Sequence, residues 1–162
     1  MHKAALQGLS AAEYKIGLLY EEGIGTEQSY HNADRWLKSA AEHGEPLALF
    51  ELGWMRYFGI GCVASADEAK RIIDRALDKG ALDMMAREAM HSDPYMQLRL
   101  GWLYDIGWGV EQSCFRALAW YSGARMMGLS AAEEFIRKLT VRLEGTHTEG
   151  TEGLEIADTS SD

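Results

Sequence analysis

The sequence predicts an all-α fold in which one helix-pair pattern recurs about three times, as in an α/α solenoid. Three Gly-x-Gly turns, starting at Gly23, Gly59 and Gly107, occupy the same place in three copies of the pattern. The string Leu-Ser-Ala-Ala-Glu at residues 9–13 also returns at residues 129–133, in register with those copies. The first two turns are 36 residues apart, and a repeat of this length is typical of helical solenoids.

One of the repeats carries an insert. The second and third turns are 48 residues apart, so about 12 residues are added, and they fall within residues 81–93. This segment is helical in composition and contains three of the eight methionines, whose flexible thioethers suit adaptable contacts. The alternative is that the insert lengthens the preceding helix and bends the array.

Aligned residues mark where each helix begins and ends. First helices are predicted to start near Ser10, Pro46, Pro94 and Ser130, and second helices after Ser29, Ser65 and Ser113. Second helices are predicted to end at Gly44, Gly80 and Gly128. A helical repeat domain therefore covers residues 1–142, with repeats at about 10–44, 46–80 and 94–128 and a capping helix at 130–142. Because Ala4, Ala5 and Gly8 align with Ala40, Ala41 and Gly44, the chain opens in the last turn of a repeat.

The helical period assigns a core face to each helix of the first repeat. It places Ala12, Ile16, Leu19 and Tyr20 on one side of the first helix, and Ala33, Trp36, Leu37 and Ala40 on one side of the second. Glycine also recurs inside the first helix, at Gly17, Gly53 and Gly101. Glycine there costs about 1 kcal/mol relative to alanine, so its recurrence predicts close helix crossings.

The net charge of −9 comes mainly from the C-terminal segment. Residues 143–162 contain six acidic and no basic residues, which leaves about −3 for the rest of the chain. We expect this segment to be a disordered acidic tail, because it is too poor in apolar residues to order itself. The helical domain lacks the basic surface that nucleic-acid binding requires.

Membrane, metal and catalytic functions find no support in the sequence. No apolar run reaches the roughly 18 residues of a membrane span, and the N-terminus lacks a signal-peptide core, so we expect a cytoplasmic protein. Cys62 and Cys114 occupy non-equivalent places and are expected to be reduced thiols. The five histidines lack ligand spacing, so neither a metal nor a cofactor is expected.

Two patterns could be mistaken for catalytic or phosphate-binding motifs. The acidic pair Glu21 and Glu22 lies at the end of a helix, where carboxylates usually form a solvated rim. The Gly-x-Gly turns lack the preceding strand and the third glycine of phosphate-binding loops, so they are interpreted as helix-to-helix connections with positive φ angles. The chain is therefore expected not to be an enzyme.

The repeated pattern resembles the Sel-one-like repeat, a relative of the tetratricopeptide repeat. The first copy carries it in Ala12, Ile16-Gly17, Tyr20, Gly23-x-Gly25, Ala33, Trp36-Leu37, Ala40-Ala41 and Gly44, and the third copy matches well. The second copy departs, with Arg56 at the tyrosine place, Ile72 at the tryptophan place and Leu77 for an alanine. The resemblance covers roughly residues 4–140. It implies a right-handed solenoid that acts as an adaptor or partner-binding scaffold.

A candidate partner-binding face lies opposite the predicted core of the first helices. Its residues are Tyr14, Leu18 and Glu21 in the first copy, Phe50, Trp54 and Tyr57 in the second, and Leu98, Trp102 and Asp105 in the third. The resemblance implies that this face lines a concave groove, as an aromatic row with an acidic margin. Tryptophan and tyrosine dominate binding hot spots, which favours a partner. The alternative is that the row packs inside the protein.

We therefore expect a non-enzymatic module that binds a segment of another protein. Similar bacterial proteins include adaptors, regulators and toxin-neutralising (immunity) partners. Any of these roles is compatible with one concave groove. The alternative is a structural element in which the aromatic row is a homodimer seam or a packed interior. The chain is expected to be a monomer or a homodimer, and its partner is expected to be neither nucleic acid nor membrane.

Overall fold

The computed structural model describes the backbone of residues 2–151 and the side chains of residues 8–146. Eight α-helices, and no β-strand, occur in this range, which confirms the prediction of an all-α helical repeat. The helices are α1 (His2–Glu22), α2 (Tyr30–Glu42), α3 (Pro46–Phe58), α4 (Ala66–Asp78), α5 (Ala81–Met90), α6 (Pro94–Ile106), α7 (Cys114–Met126) and α8 (Ala131–Thr151).

The helices form two compact units, Met1–Glu88 and Ala89–Asp162. In the first unit α1 pairs with α2 and α3 with α4, and α2 also packs on α3. In the second unit α6 pairs with α7, and α8 packs on both. The insert forms α5, which runs across the division and begins beyond Gly80, a residue with a φ of 93°. It is therefore a separate helix and not an extension of α4.

The predicted serine caps of the second helices and the prolines at helix starts are confirmed. The side chains of Ser29, Ser65 and Ser113 each accept a hydrogen bond from a backbone amide in the first turn of α2, α4 and α7. Pro46 and Pro94 open α3 and α6. Both of these helices end at a glycine with a positive φ, 69° at Gly59 and 73° at Gly107, as expected for the turn glycines.

The predicted close helix crossings are also confirmed. A Cβ added at Gly53 would lie 2.4 Å from Cγ1 of Ile73, and one at Gly101 would lie 2.7 Å from Cδ1 of Tyr121. At Gly17 the nearest atom, Cγ of Leu37, would be 2.8 Å away. Each first helix therefore meets its second helix at a point where only glycine fits.

The predicted core is partly right. Ala33, Leu37 and Ala40 are fully buried. Trp36, in contrast, is 37% exposed, because the outer side of α2 faces solvent at this point.

The prediction is wrong for Ala12 and Leu19, which are exposed. Their equivalents in the second repeat, Ala48 and Met55, are buried on α3, the helix against which α2 packs. Within the described residues no helix precedes α1 to cover the same side.

The ends of the helical region differ from the predicted boundaries. Helix α1 is continuous through Gly8 and Ser10, so Ser10 is a buried helical residue and does not cap a helix. Helix α8 continues to Thr151, beyond the predicted end at residue 142. Residues 152–162 lie outside the described part, so the disorder of the acidic tail stays a prediction. None of the helices within the described chain is long and apolar enough to cross a membrane.

Candidate functional site

The aromatic row predicted to bind a partner is largely buried. Trp54 is 5% exposed and Trp102 is 3% exposed, and Phe50 and Leu98 are buried beside them on the same helices. Tyr14 is also buried, at the equivalent place in the first repeat. The interpretation of the row as a bare surface on these helices is therefore wrong for its largest members, and the alternative of a packed interior describes them.

Aromatic neighbours explain part of this burial. The ring of Trp54 lies 4.5 Å, between centroids, from that of Phe58 at the end of α3. The ring of Trp102 lies 5.5 Å from that of Trp108, which belongs to the following turn, in an edge-to-face arrangement. Such pairs stabilise a fold beyond the burial of their surface. Each of the two tryptophans therefore packs against an aromatic residue at or just beyond the end of its own helix.

Asp105, predicted to belong to the acidic margin, is engaged inside the second unit. Its carboxylate accepts a hydrogen bond from Oη of Tyr121, with a separation of 3.1 Å, and forms an ion pair with Arg142 of α8. It therefore ties α6 to α7 and α8. Leu18, Glu21 and Tyr57 are the only predicted binding residues that the structure leaves half-buried.

A concave site lies in the first unit, between α2 and α4 and above α3. It is a cavity of about 430 Å³. Its lining residues are Tyr30, His31, Asp34, Lys38, Leu52, Met55, Arg56, Ile60, Gly61, Cys62, Glu68 and Ile72. A smaller cavity of about 250 Å³ shares Lys38, Leu52 and Ile72 with it and is completed by Ala41, Glu42, Leu49 and Arg75. We call the two together the second-repeat groove.

The groove lies where the second repeat departs from its neighbours. Ile72 stands where the first and third repeats carry Trp36 and Trp120. Because isoleucine lacks the indole ring, α4 leaves space above the floor of the groove. Arg56 stands where the other repeats carry a tyrosine, and it places a guanidinium group in the wall.

Ion pairs along the groove place charges of both signs over an apolar floor. Nζ of Lys38 lies 2.7 Å from Oδ2 of Asp34 on α2, and Nε of Arg56 lies 3.3 Å from Oε2 of Glu68 on α4. Arg56 also donates a hydrogen bond to the carbonyl of Val63, with a separation of 3.2 Å. Exposed pairs of this kind contribute about 0–1 kcal/mol, so a partner can exchange them at little cost.

This arrangement suits the side chains of a polypeptide. The floor, formed by apolar side chains of α3 and by Ile72, can bury an apolar anchor, and the paired charges can bind polar groups beside it. Among the described residues, no three His, Cys, Asp or Glu side chains come together as metal ligands would. Cys62 lines the groove and donates a weak hydrogen bond to the carbonyl of Met55, with a separation of 3.6 Å.

A polar network occupies the equivalent place in the first repeat. The buried carboxylate of Glu13 accepts a hydrogen bond from Oγ of Ser39, at 2.8 Å, and lies 2.7 Å from Nδ1 of His43. Burial alone raises the pKa of Glu13, but the hydrogen bonds from His43 and Ser39 hold that pKa below its ordinary value. In the second repeat Leu49 and Arg75 take the places of Glu13 and Ser39, and both line the groove.

The sequence contained part of the signal for this groove. Arg56 and Ile72 are visible as departures from the repeat pattern, although the pattern alone gives them no role. Lys38 and Leu52 carry no signal of their own, because charged residues on outer helix faces and leucines in helices are common in helical repeats.

Several proteins are similar in sequence to parts of this chain. Chitin synthase regulatory factor 3 of Schizosaccharomyces pombe is 43% identical over 47 residues, which cover 29% of this chain and 5% of that protein. Chitin synthase regulator SKT5 of Malassezia restricta is 40% identical over 68 residues, covering 41% of this chain and 5% of that protein. Protein sel-1 homolog 2 of Mus musculus is 34% identical over 76 residues, covering 46% and 11%. The chain thus spans about a tenth or less of these relatives' lengths.

Among solved structures, a Sel1 repeat protein from Oxalobacter formigenes is similar to this chain, with 26% identity and a TM-score of 0.43. The match covers 83% of this chain and 50% of the other. The model of the Sel1 repeat family matches three segments, residues 10–45, 46–80 and 94–129. These segments make up more than half of the sequence, and the chain therefore belongs to the Sel1 repeat family.

Proposed function

We propose that this chain is a non-enzymatic protein-interaction module that binds a segment of another protein in the second-repeat groove. The observation that carries the proposal is the groove itself, an open cleft with an apolar floor and with charges of both signs along its walls. Its position at the two departures from the repeat pattern, Arg56 and Ile72, favours binding over a packing defect. At the places of Arg56 and Ile72 the other repeats carry a tyrosine and a tryptophan, whose rings would fill the groove.

The names of the relatives support a role in regulation or assembly. Two of the relatives are named as a regulatory factor and a regulator of chitin synthase, and another, from Schizosaccharomyces pombe, as a putative component of an ERAD-associated E3 ubiquitin-protein ligase. We infer that this chain acts as an adaptor or regulator in the same general sense. A toxin-neutralising role falls within the same proposal.

Of the predicted partner-binding row, only the half-buried members enter this proposal. Tyr57 lies near the end of α3, beside Phe58, whose ring is 4.9 Å away and 40% exposed. These two rings are candidates for a contact with a bound segment beyond the groove. Leu18 and Glu21 have the same role on α1, whereas the buried members contribute to stability.

A capture experiment with two matched tryptophan variants tests the groove. The baits are the wild-type chain, Ile72→Trp, which fills the groove, and Arg71→Trp, which adds the same ring one residue away, where the side chain is exposed and outside the groove lining. We expect wild type and Arg71→Trp to hold a protein from native lysate that Ile72→Trp loses. The affinity of the purified pair should fall at least tenfold, about 1.4 kcal/mol, in Ile72→Trp.

The control is that all three baits keep the same circular dichroism spectrum and thermal midpoint. Equal retention by the three folded baits would overturn the groove as the binding site. Light scattering addresses the alternative of a homodimer seam: a dimer that Ile72→Trp dissociates, with no other protein captured, would assign the groove to a second copy of this chain.

A further inference from the structure

The outer face of α7 is apolar, unlike those of the other second helices. Residues at spacings of four, three and four lie along one line of a helix. On α7 this line is Phe115, Ala119, Ser122 and Met126. At the same places α2 carries His31, Arg35, Lys38 and Glu42, and α4 carries Asp67, Arg71, Asp74 and Asp78. The repeat therefore tolerates charge at these positions, and α7 alone among the three lacks it.

This outer face of α7 is exposed. Phe115 and Met126 are each 84% exposed, among the highest values for large apolar side chains in the described chain. The opposite side of the helix, formed by Ala117, Tyr121 and Ala124, is fully buried and supplies the packing of the pair. Apolar side chains aligned on an otherwise charged position of the repeat indicate an interaction surface.

The charges on α7 itself have one sign. Helix α7 contains Arg116 and Arg125 and no acidic residue, although the chain as a whole has a net charge of −9. At 100° per residue the two arginines lie on opposite flanks of the apolar line, Arg116 near its start and Arg125 near its end. The face of Tyr104 holds Arg116, whose guanidinium carbon lies 5.4 Å from the ring centroid.

The two arginines disfavour a second copy of the chain as the occupant. In a symmetric antiparallel pairing of two α7 helices, Phe115 would face Met126 of the other copy, and one side of the contact would carry both copies of Arg116 and the other side both copies of Arg125. In a symmetric parallel pairing each side of the contact would carry Arg116 of one copy and Arg125 of the other. Both arrangements would line the two sides of an apolar contact with positive charges of α7 alone, which disfavours the pairing.

We propose that the outer face of α7 docks an amphipathic helical segment of another protein, with apolar side chains that contact Phe115 and Met126 and with aspartate or glutamate side chains that pair with Arg116 and Arg125. Helix-on-helix docking of this kind uses anchors at the same spacing as the line on α7. The methionine can adapt to the shape of its partner, and the arginine side chains lie at the edges of the contact, where they can pair with acidic groups. This surface is distinct from the second-repeat groove and goes beyond the function proposed for it.

The test uses two labelled peptides of about 15 residues, each an amphipathic helix with leucine at i, i+4, i+7 and i+11. One carries glutamate on the flanks of the leucine line and the other carries lysine. Fluorescence anisotropy with the full-length chain should show at least tenfold tighter binding of the glutamate peptide. Equal affinity for the two peptides would overturn the proposal. So would the lack of any binding of the glutamate peptide up to about 1 mM, a concentration that corresponds to a binding free energy of about −4 kcal/mol.

Variants locate the contact. Phe115→Asp with Met126→Asp should weaken the glutamate peptide at least tenfold, and Arg116→Glu with Arg125→Glu should reverse the preference toward the lysine peptide. Because all four side chains lie on exposed places, these variants are expected to stay folded, as circular dichroism would verify. Arg71→Trp, an exposed change on α4 outside the groove lining, serves as the control and should leave peptide binding unchanged. The capture experiment changes the groove and the peptide experiment changes α7, so the two proposals fail independently.

Two other occupants have their own outcomes. The sequence beyond α8 places Leu154 and Ile156 among acidic residues. If changing both to serine in the full-length chain raises the affinity for the glutamate peptide more than tenfold, the face belongs to the chain's own tail and the proposal is wrong. A dimer in light scattering that Phe115→Asp dissociates would likewise assign the face to a second copy.

Discussion

The second and third repeats share the residues that hold a helix pair together and differ on the surfaces that a partner can reach. Both have a glycine at the crossing, Gly53 or Gly101, and a serine that caps the second helix. Both also bury a tryptophan on the first helix. The helix pair is therefore specified by a few contacts, and the remaining positions are free to change without loss of the fold.

The two repeats have changed in different places. The second repeat has lost the tyrosine and the tryptophan of the pattern, and a groove lies where Arg56 and Ile72 replace them. The third repeat keeps Tyr104 and Trp120 but has lost the charges on its outer face. Each repeat thus presents a different kind of surface, a cleft in one and an apolar helix face in the other.

Removing the shared tryptophans should produce the largest effect. Trp54→Ala and Trp102→Ala should each lower the free energy of unfolding by about 3–5 kcal/mol, because each creates a cavity at a buried aromatic contact. Urea denaturation followed by circular dichroism measures this change. Trp36→Ala, at a position that is 37% exposed, is the control and should cost roughly 1–2 kcal/mol. Costs below about 1 kcal/mol at both buried sites would restore the interpretation of the row as a binding surface.

The crossing glycines should come next. A methyl group at Gly53 or Gly101 collides with the facing side chain, at 2.4 Å or 2.7 Å, and also approaches a backbone carbonyl at 3.3 Å or 3.2 Å. Gly53→Ala and Gly101→Ala should therefore each cost about 1–3 kcal/mol. Gly8→Ala is the matched control, because nothing lies within 4 Å of the added Cβ and alanine favours the helix. Thermal midpoints that rise in all three variants would contradict the crossing geometry.

Most of the fold could be predicted from the sequence, because its determinants are local. The serine caps, the prolines at helix starts and the glycines with positive φ act through the backbone of their own turn, and repetition makes them visible. The predicted face of α1 failed because Ala12 and Leu19 depend on a neighbouring helix, which the second repeat has in α2 and which no described residue supplies to the first. A periodic pattern predicts which side is apolar but not what covers it.

The candidate site was less predictable for a related reason. Trp54 and Trp102 looked like an exposed row because they lie opposite the predicted core face, yet aromatic neighbours at the end of each helix pair pack against them. The groove exists because the side chain of Ile72 is smaller than the tryptophan of the other repeats. A sequence shows such a substitution but does not show whether it leaves a cavity. The outer face of α7, by contrast, can be found from the sequence. An alignment of the three second helices shows that α7 lacks charged residues where α2 and α4 have them.

A polar contact in the first repeat gives a pH-dependent test. Because the folded pKa of Glu13 lies below its ordinary value of 4.5, the ionised group stabilises the folded chain above about pH 4.5, and this stabilisation is lost as the pH falls through the folded pKa. Glu13→Gln should lower the free energy of unfolding by about 1–3 kcal/mol at pH 7 and flatten its decline in acid. Identical acid profiles for the two chains would contradict the contact of Glu13 with Ser39 and His43.

The smallest expected effect addresses the difference between the repeats most directly. Phe115 and Asp67 occupy the same place on α7 and α4, and both are exposed. Phe115→Asp and Asp67→Phe should each change the free energy of unfolding by no more than about 0.5 kcal/mol, because neither position contributes to the packing of its helix pair. Urea denaturation of the two single variants and of the double exchange measures this. A loss of more than about 2 kcal/mol in Phe115→Asp would mean that the phenylalanine serves the fold, and the apolar outer face of α7 would then be part of the architecture and not a surface for a partner.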